Sequence, residues 1–387
     1  MTDSGQQKIV HDHPVHFANL DALRFLAAFS VFVFHFFRDV NGFYPDLKLN
    51  AIFRAIMVVA NKGALGVSLF FVLSGFLITY LILQEKKQTG SFSLWKFLVR
   101  RTLRIWPLYF IVVAIGFLLF PYLIDGYSTT HRPLFYLFFL ANFDEIYNPI
   151  SDSVNFLSAL WSVAVEEQFY LFWSLMLFPL LKWKNFKLEY LLFLLMLLSL
   201  IFSWMNRDNE KIIYFHTFSV CQDILTGAFI GLAVFNGKTW IKKITELSTW
   251  KIVLIYLIGF GIIITKNKFF AGDLIVLERF VISLFFGFII LEQSLGKNSF
   301  IKIGKWNWMN YLGKISYGFY VYHLIVLYLV AHFIHTQGWI GYYLISVYFI
   351  CSLIGVILIS ALSYRFIESP ILKLKPTNFS ATKALRH

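Results

Sequence analysis

The chain has 387 residues, 58% of them hydrophobic and 14% charged, with a mean hydropathy of +0.68. A soluble domain carries about 45–50% apolar and about 25% charged residues, so composition excludes an ordinary water-soluble enzyme and points to an integral membrane protein. The net charge of +13 is then read as an asymmetry across a bilayer rather than as a nucleic-acid footprint.

The chain opens with a polar tail, residues 1–16. It holds His11, His13 and His16 at irregular spacing, which does not suggest a metal site. The first apolar run, LDALRFLAAFSVFVFHFF at 20–37, contains Asp21 and Arg24 and is followed by no small-residue cleavage site. It reads as a retained helix rather than a removed signal peptide. Further runs fall near 64–83, 103–122, 158–181, 188–205, 212–235, 252–266, 273–292, 312–334 and 340–364. Ala64–Leu83 runs 20 residues without a charge and Thr336–Tyr364 runs 29, long and unalternating enough for helices rather than barrel strands. The expected fold class is all-α, a polytopic transmembrane helix bundle of about ten spans. Leu134–Ala141 is too short to cross and is expected as a partial helix at the interface or re-entering it.

With the N-terminus inside, the cytoplasmic segments hold 24 of the 34 Lys and Arg residues. The positive-inside rule therefore supports an N-in, C-in arrangement. No repeat and no Pro/Gly/Ser-rich linker divides the chain. Residues 17–375 read as one transmembrane domain followed by a basic cytoplasmic tail, 376–387. Cys221 and Cys351 lie in separate apolar segments and suggest neither a disulfide nor a metal site.

Ionisable residues inside spans are functional candidates, because their cost must be offset by a partner or a wet cavity. Arg24 and His35 are eleven residues apart. At 100° per residue this is about 20° beyond three full turns, so both share one helix face, with about 16 Å of rise between them. Arg101 and Arg104 in FLVRRTLRIWPLY are three apart on one face at the cytoplasmic entrance of the third span. They could fork a phosphate or flank the membrane on its inner side. Glu166 and Glu167 in LWSVAVEEQFYLFW point about 100° apart, so they cannot share one partner. A carboxylate beside a buried histidine could orient it as a general base. Ser68, Ser74 and Gly75 in GVSLFFVLSGFLIT suit close helix packing, with Ser74 also a polar candidate for ligand contact. Ser316 and His323 in ISYGFYVYHL are seven apart on one face, and Asp223 lies mid-span. Glu278 and Arg279 are expected to neutralise charge with other residues in the bundle.

Taken together, LDALRFLAAFSVFVFHF, GVSLFFVLSGFLIT, RRTLRIWPLY, LWSVAVEEQFYLFW, ISYGFYVYHL and the terminal YRFIESPI resemble, in order, the landmarks of the integral-membrane acyltransferase family 3, which contains O-antigen and exopolysaccharide O-acetyltransferases. The resemblance covers about residues 17–375. It implies transfer of an acyl group, usually acetyl, from cytoplasmic acyl-CoA to a hydroxyl of a surface glycan or glycolipid. It maps the family's histidine to His35 and its arginines to Arg24, Arg101 and Arg104. The glutamate maps to Glu166. An aspartate maps to Asp223, although Cys221 stands where many members have an arginine. Some members carry an appended extracytoplasmic domain; the short segment after the last span leads us to expect the stand-alone form.

On this basis His35 and Glu166 are the expected catalytic residues, with His35 as general base or acyl acceptor and Glu166 orienting it. Arg24, Arg101, Arg104, Ser74, His323 and Asp223 are the expected substrate-binding residues. No metal and no permanent cofactor is expected, and acyl-CoA is the donor substrate. The expected partners are the bilayer and a glycan or glycolipid acceptor, not nucleic acid; homo-oligomers or glycan-assembly partners are compatible. The expected location is the bacterial inner membrane. The rival reading is a transporter or flippase whose intramembrane charges line a permeation route.

Overall fold

The computed structural model describes residues 17, 19–44, 47, 50–124, 127, 129–148, 156–183, 185–337 and 341–376. Among them there is no strand. The α-helices, in chain order, are α1 (Leu20–Phe43), α2 (Ala51–Ala60), α3 (Gly66–Thr89), α4 (Leu94–Ala114), α5 (Phe120–Leu123), α6 (Pro133–Leu137), α7 (Ala141–Tyr147), α8 (Leu160–Leu180), α9 (Leu188–Met205), α10 (Glu210–Phe215), α11 (Thr217–Phe235), α12 (Thr239–Thr245), α13 (Thr249–Phe269), α14 (Ile275–Leu295), α15 (Asn307–Lys314), α16 (Ser316–Thr336), α17 (Tyr343–Ser363) and α18 (Ser369–Leu372). The histidines of the N-terminal tail lie outside the described residues.

Nine helical stretches among these residues are long and apolar enough to cross a membrane. They account for nine of the ten expected spans. The tenth segment forms α8, 21 residues long, about 31 Å at 1.5 Å per residue, but it is not among the nine. Glu166, Glu167 and Gln168 on successive positions lower its hydropathy, and the bundle rather than lipid must cover them. The expected partial helix near 134–141 appears as the short α6 and α7.

The bundle is built around α3 and α11. In the most apolar stretch of the helical segment Glu210–Phe235, 78% of residues are buried, against 17% for α13, which is peripheral. Small residues let α3 and α11 approach closely. A methyl group on Gly75 would collide with the Ile224 carbonyl, and one on Gly227 with the Val72 carbonyl. The expectation that Gly75 serves close packing is therefore met. Helix α1 packs on α16 and α17 through aromatic edges: Phe25 and Phe32 lie 5.6 and 5.7 Å from Phe319, and Phe36 lies 5.0 Å from both Tyr348 and Phe349.

Local chemistry sets where the elements begin and bend. The Ser93 hydroxyl accepts a hydrogen bond from the Lys96 backbone N–H and caps α4. Gly90 ends α3 with φ +77°, a left-handed position that glycine takes without steric cost. Two π-helical turns interrupt the bundle, Ile115–Leu119 after α4 and Tyr364–Glu368 after α17. Such turns re-aim side chains, and the second one carries Glu368 into the interior, where it is 6% exposed. Outward faces are apolar: Leu194, Leu197, Leu198 and Ile201 on α9, and Leu254, Leu257, Ile258 and Phe260 on α13, are all exposed. Patches of this kind suit acyl chains rather than water.

Candidate active site

Two polar clusters lie in the bundle at the two ends of the face that Arg24 and His35 share. At the Arg24 level, α3, α4 and α8 meet around Glu166. The Ser74 hydroxyl donates to Glu166 Oε1 at 2.6 Å. The Tyr170 hydroxyl lies 3.0 Å from both Glu166 Oε2 and Ser74 Oγ. The Arg101 guanidinium sits over the Tyr170 ring at 5.5 Å and over Phe97 at 5.7 Å. Arg24 forms an ion pair with Asp21 at 2.5 Å. The charges of Arg24, Arg101 and Arg104 act on one another at this level. The sequence-derived basic group is therefore brought together.

This cluster has members that sequence reasoning did not single out. Arg100 is held by Glu85 at 2.7 Å, whereas among the described residues Arg101 and Arg104 make no salt bridge. Lys375, just beyond α18, adds another cation. Burial pushes its ammonium down to about 7, and Arg104, Arg101 and Arg100 push it further in the same direction. So many cations with so few paired anions make a doorway that a polyanion would stabilise.

Glu167 turns away from Glu166, as their 100° offset requires, and accepts a hydrogen bond from Trp106 Nε1 at 2.8 Å. The predicted separation of the two carboxylates holds.

Along α1 lies the second cluster. His35 is half-buried and faces the bundle, its ring centre 5.2 Å from that of His323 on α16. His323 is fully buried, and its Nδ1 bonds the Tyr320 carbonyl. His35 Nδ1 and His323 Nε2 are buried without a hydrogen-bond partner. One turn beyond His35, the exposed Arg38 places its charge near both imidazoles and near Tyr214. Arg38 was not singled out from the sequence. Its position three residues after His35 on α1 was the available signal.

The expected partnership of Glu166 with His35 is corrected by this geometry. Glu166 is committed to Ser74 and Tyr170 among the arginines, and the ring beside His35 is His323. The reason lies in the axial register of α8 against α1, which no spacing within either helix encodes. Ser74 is correspondingly a partner of Glu166.

Asp223 belongs to a third group. Arg279 of α14 donates to Asp223 Oδ2 at 2.7 Å and lies 3.5 Å from Ser68. The cation missing at Cys221 is thus supplied from another helix. Glu278 pairs with Lys266 at 2.5 Å, so the expected neutralisation of Glu278 and Arg279 within the bundle occurs. On the connection between α4 and α8, His131 bonds the buried Asp144 at 2.5 Å, with the exposed Arg132 3.5 Å from the same carboxylate, a cluster that the sequence reading passed over. A cavity of about 200 Å³ between α9, α11, α12 and α14 is walled by apolar groups such as Phe193, Phe229, Trp240 and Phe288 and includes none of the site residues.

With this geometry in place, the chain can be set against known proteins. The family model described as an acyltransferase domain, that of acyltransferase family 3, matches residues 17–365. The chain belongs to this family. The O-acetyltransferase OatA of Staphylococcus aureus strain NCTC 8325 / PS 47 is similar, with 29% identity over 377 residues, 93% of this chain and 58% of OatA. OatA of strains COL and MRSA252 matches with the same figures. The chain thus spans under two thirds of the length of these curated relatives. No solved structure matches. The acyltransferase family 3 chain described here is a multi-pass membrane protein, and its two polar clusters lie within the matched region except for Lys375, which follows it.

Proposed function

We propose that this chain is a membrane O-acyltransferase that moves an acyl group, in the simplest case acetyl, from cytoplasmic acyl-CoA to a hydroxyl of a cell-surface glycan or glycolipid. It would sit in the bacterial inner membrane with its N-terminus inside. The observation that carries this reading is the half-buried imidazole of His35, with an unpartnered nitrogen, on the same α1 face as Arg24 in the basic cluster. Family membership supports acyl transfer, and similarity to O-acetyltransferase OatA supports acetyl and oxygen as donor group and acceptor atom.

In this reading the phosphates of acyl-CoA occupy the doorway of Arg24, Arg101, Arg104 and Lys375. Pantetheine then runs along α1. The roughly 16 Å between the two levels suits a ligand whose anionic and reactive ends are far apart. His35 removes the proton of the acceptor hydroxyl as the oxygen attacks the thioester carbonyl. The C–S bond breaks, and the proton passes from the imidazolium to the departing thiolate, which leaves as free CoA. Glu166 holds Arg101 and Arg24 in place by charge, while Ser74 and Tyr170 hold Glu166. Arg38 lies where the acceptor would enter from the outer side. CoA itself stays inside.

The test is to incubate membranes containing the wild-type protein or His35→Ala with radiolabelled acetyl-CoA. Label is expected in surface polymer or glycolipid with the wild type and in neither with the variant, at equal protein levels. Equal labelling by both would refute the reading. Transport of unlabelled substrate without any acetyl transfer would replace it with the transporter alternative.

A further inference from the structure

A base that acts through one imidazole nitrogen works best when the other nitrogen is held. In this bundle no carboxylate bonds His35 Nδ1, and the expected one, Glu166, is engaged elsewhere. The neighbouring ring is His323. Its Nδ1 faces the Tyr320 carbonyl at 2.5 Å. A carbonyl oxygen only accepts, so this nitrogen must carry the hydrogen, and in the neutral ring Nε2 then bears the lone pair. That lone pair is buried and unmatched.

Besides the exposed Arg38, whose charge reaches this ring, two candidates for a donor lie close to it. Tyr320, whose ring centre is 5.7 Å away, has its hydroxyl engaged with the Ala159 carbonyl and with Ser162. The other is His35, at 5.2 Å between centres and an interplanar angle of 47°. Two imidazoles joined by an N–H···N bond of about 3 Å have centres about 5 Å apart. The rings already have this separation and need only rotate about their side-chain bonds to meet. Two buried, unsatisfied nitrogens at this spacing complete each other, one as donor and one as acceptor.

We propose that His323 is the positioning residue for His35. Its Nε2 accepts the Nδ1–H of His35, selects that tautomer, and leaves His35 Nε2 as the basic nitrogen turned to the acceptor hydroxyl. No proton is consumed by His323; it holds a hydrogen that stays on His35 while Nε2 gains and then returns the acceptor's proton. The assignment rests on the reading of His35 as the base. It moves His323 from the substrate-binding group to the catalytic support, and it gives the buried tautomer of His323 a purpose.

The test uses the full chain, labelled with 15N-histidine, in lipid nanodiscs. A 15N–15N coupling through the hydrogen bond between two imidazoles is expected in the wild type, absent from both His35→Ala and His323→Phe. In His323→Phe, His35 is expected to become a mixture of tautomers, and kcat to fall by about ten- to a hundredfold with the KM for acetyl-CoA unchanged. In His323→Gln, whose amide oxygen can accept the same bond, one tautomer and most of kcat should return. Absence of the coupling in the wild type overturns the proposal, and decides it even where the Phe variant fails to insert. A raised KM with unchanged kcat in His323→Phe also overturns it, in favour of donor binding. Full activity in His35→Ala would overturn the base itself; an inactive His35→Ala with no coupling in the wild type would overturn the positioning role alone.

Discussion

The two ends of the α1 face differ in how completely their polar atoms are satisfied. Around Glu166, the carboxylate, the Ser74 hydroxyl and the Tyr170 hydroxyl close on one another within 3.0 Å. Around His35, one nitrogen of each histidine is buried without a partner. A closed network rigidifies its surroundings, whereas an open one in low dielectric is costly until something completes it. On the proposed reading, the Glu166 cluster holds the cationic doorway in shape and the His35 end carries the chemistry.

Substitutions should separate the two ends. The largest effect is expected for His35→Ala. Acyl transfer should drop by about a thousandfold or more, while stability, read from thermal unfolding in detergent, falls by only about 1–2 kcal/mol, for the single hydrogen bond to His323 that is lost. A large loss of stability here would erase the contrast. Glu166→Ala should do the reverse in kind. It leaves Ser74 and Tyr170 without their acceptor and removes the countercharge of Arg101 and Arg24, so stability should fall by about 3 kcal/mol, read from the same melts. Glu166→Gln should lose less. A variant that melts as the wild type would show that the network is not structural.

A smaller effect concerns Lys375. Its ammonium titrates at about 7 because it is buried beside Arg104, Arg101 and Arg100. A bound polyanion would raise that value, so acyl-CoA binding should take up a proton near neutral pH. Affinity should then weaken as pH rises above about 7, and Lys375→Met should flatten the dependence. Calorimetry in buffers of different ionisation enthalpy measures the uptake. The stability sign is opposite. Between about 7 and the ordinary lysine value of 10.5, the unfolded chain holds a proton that the folded one lacks, so this group makes the fold more stable as pH rises.

The smallest effect belongs to an exposed pair that is part of neither cluster. Lys297 donates a hydrogen bond to Glu246 at 2.8 Å and holds its carboxyl below the ordinary value of 4.5. Its contribution is present above pH 4.5 and is lost as pH falls through the folded value. Glu246→Gln should leave the melting midpoint at pH 7 unchanged within measurement, because solvent screens such pairs.

Much of the site was legible residue by residue. Arg24 and His35 share a face because eleven residues nearly complete three turns, and Glu166 and Glu167 diverge because they are adjacent on a helix. Gly75 packs against Ile224 because only a residue without a side chain allows that approach. Partners on other helices were not legible. Glu166 finds Ser74 on α3, and His323 comes to lie beside His35. Arg279 supplies the cation for Asp223, and Lys375 joins a cluster that its local sequence does not advertise.

By itself the sequence determined a helical membrane protein, the order of its apolar segments, and which residues on each helix point the same way. These follow from hydropathy and the 3.6-residue turn, both local properties. Tertiary structure alone decided which faces meet and at what depth. That depends on how far each helix slides against its neighbours, and the slide is set by packing of small and aromatic side chains that belong to different segments of the chain.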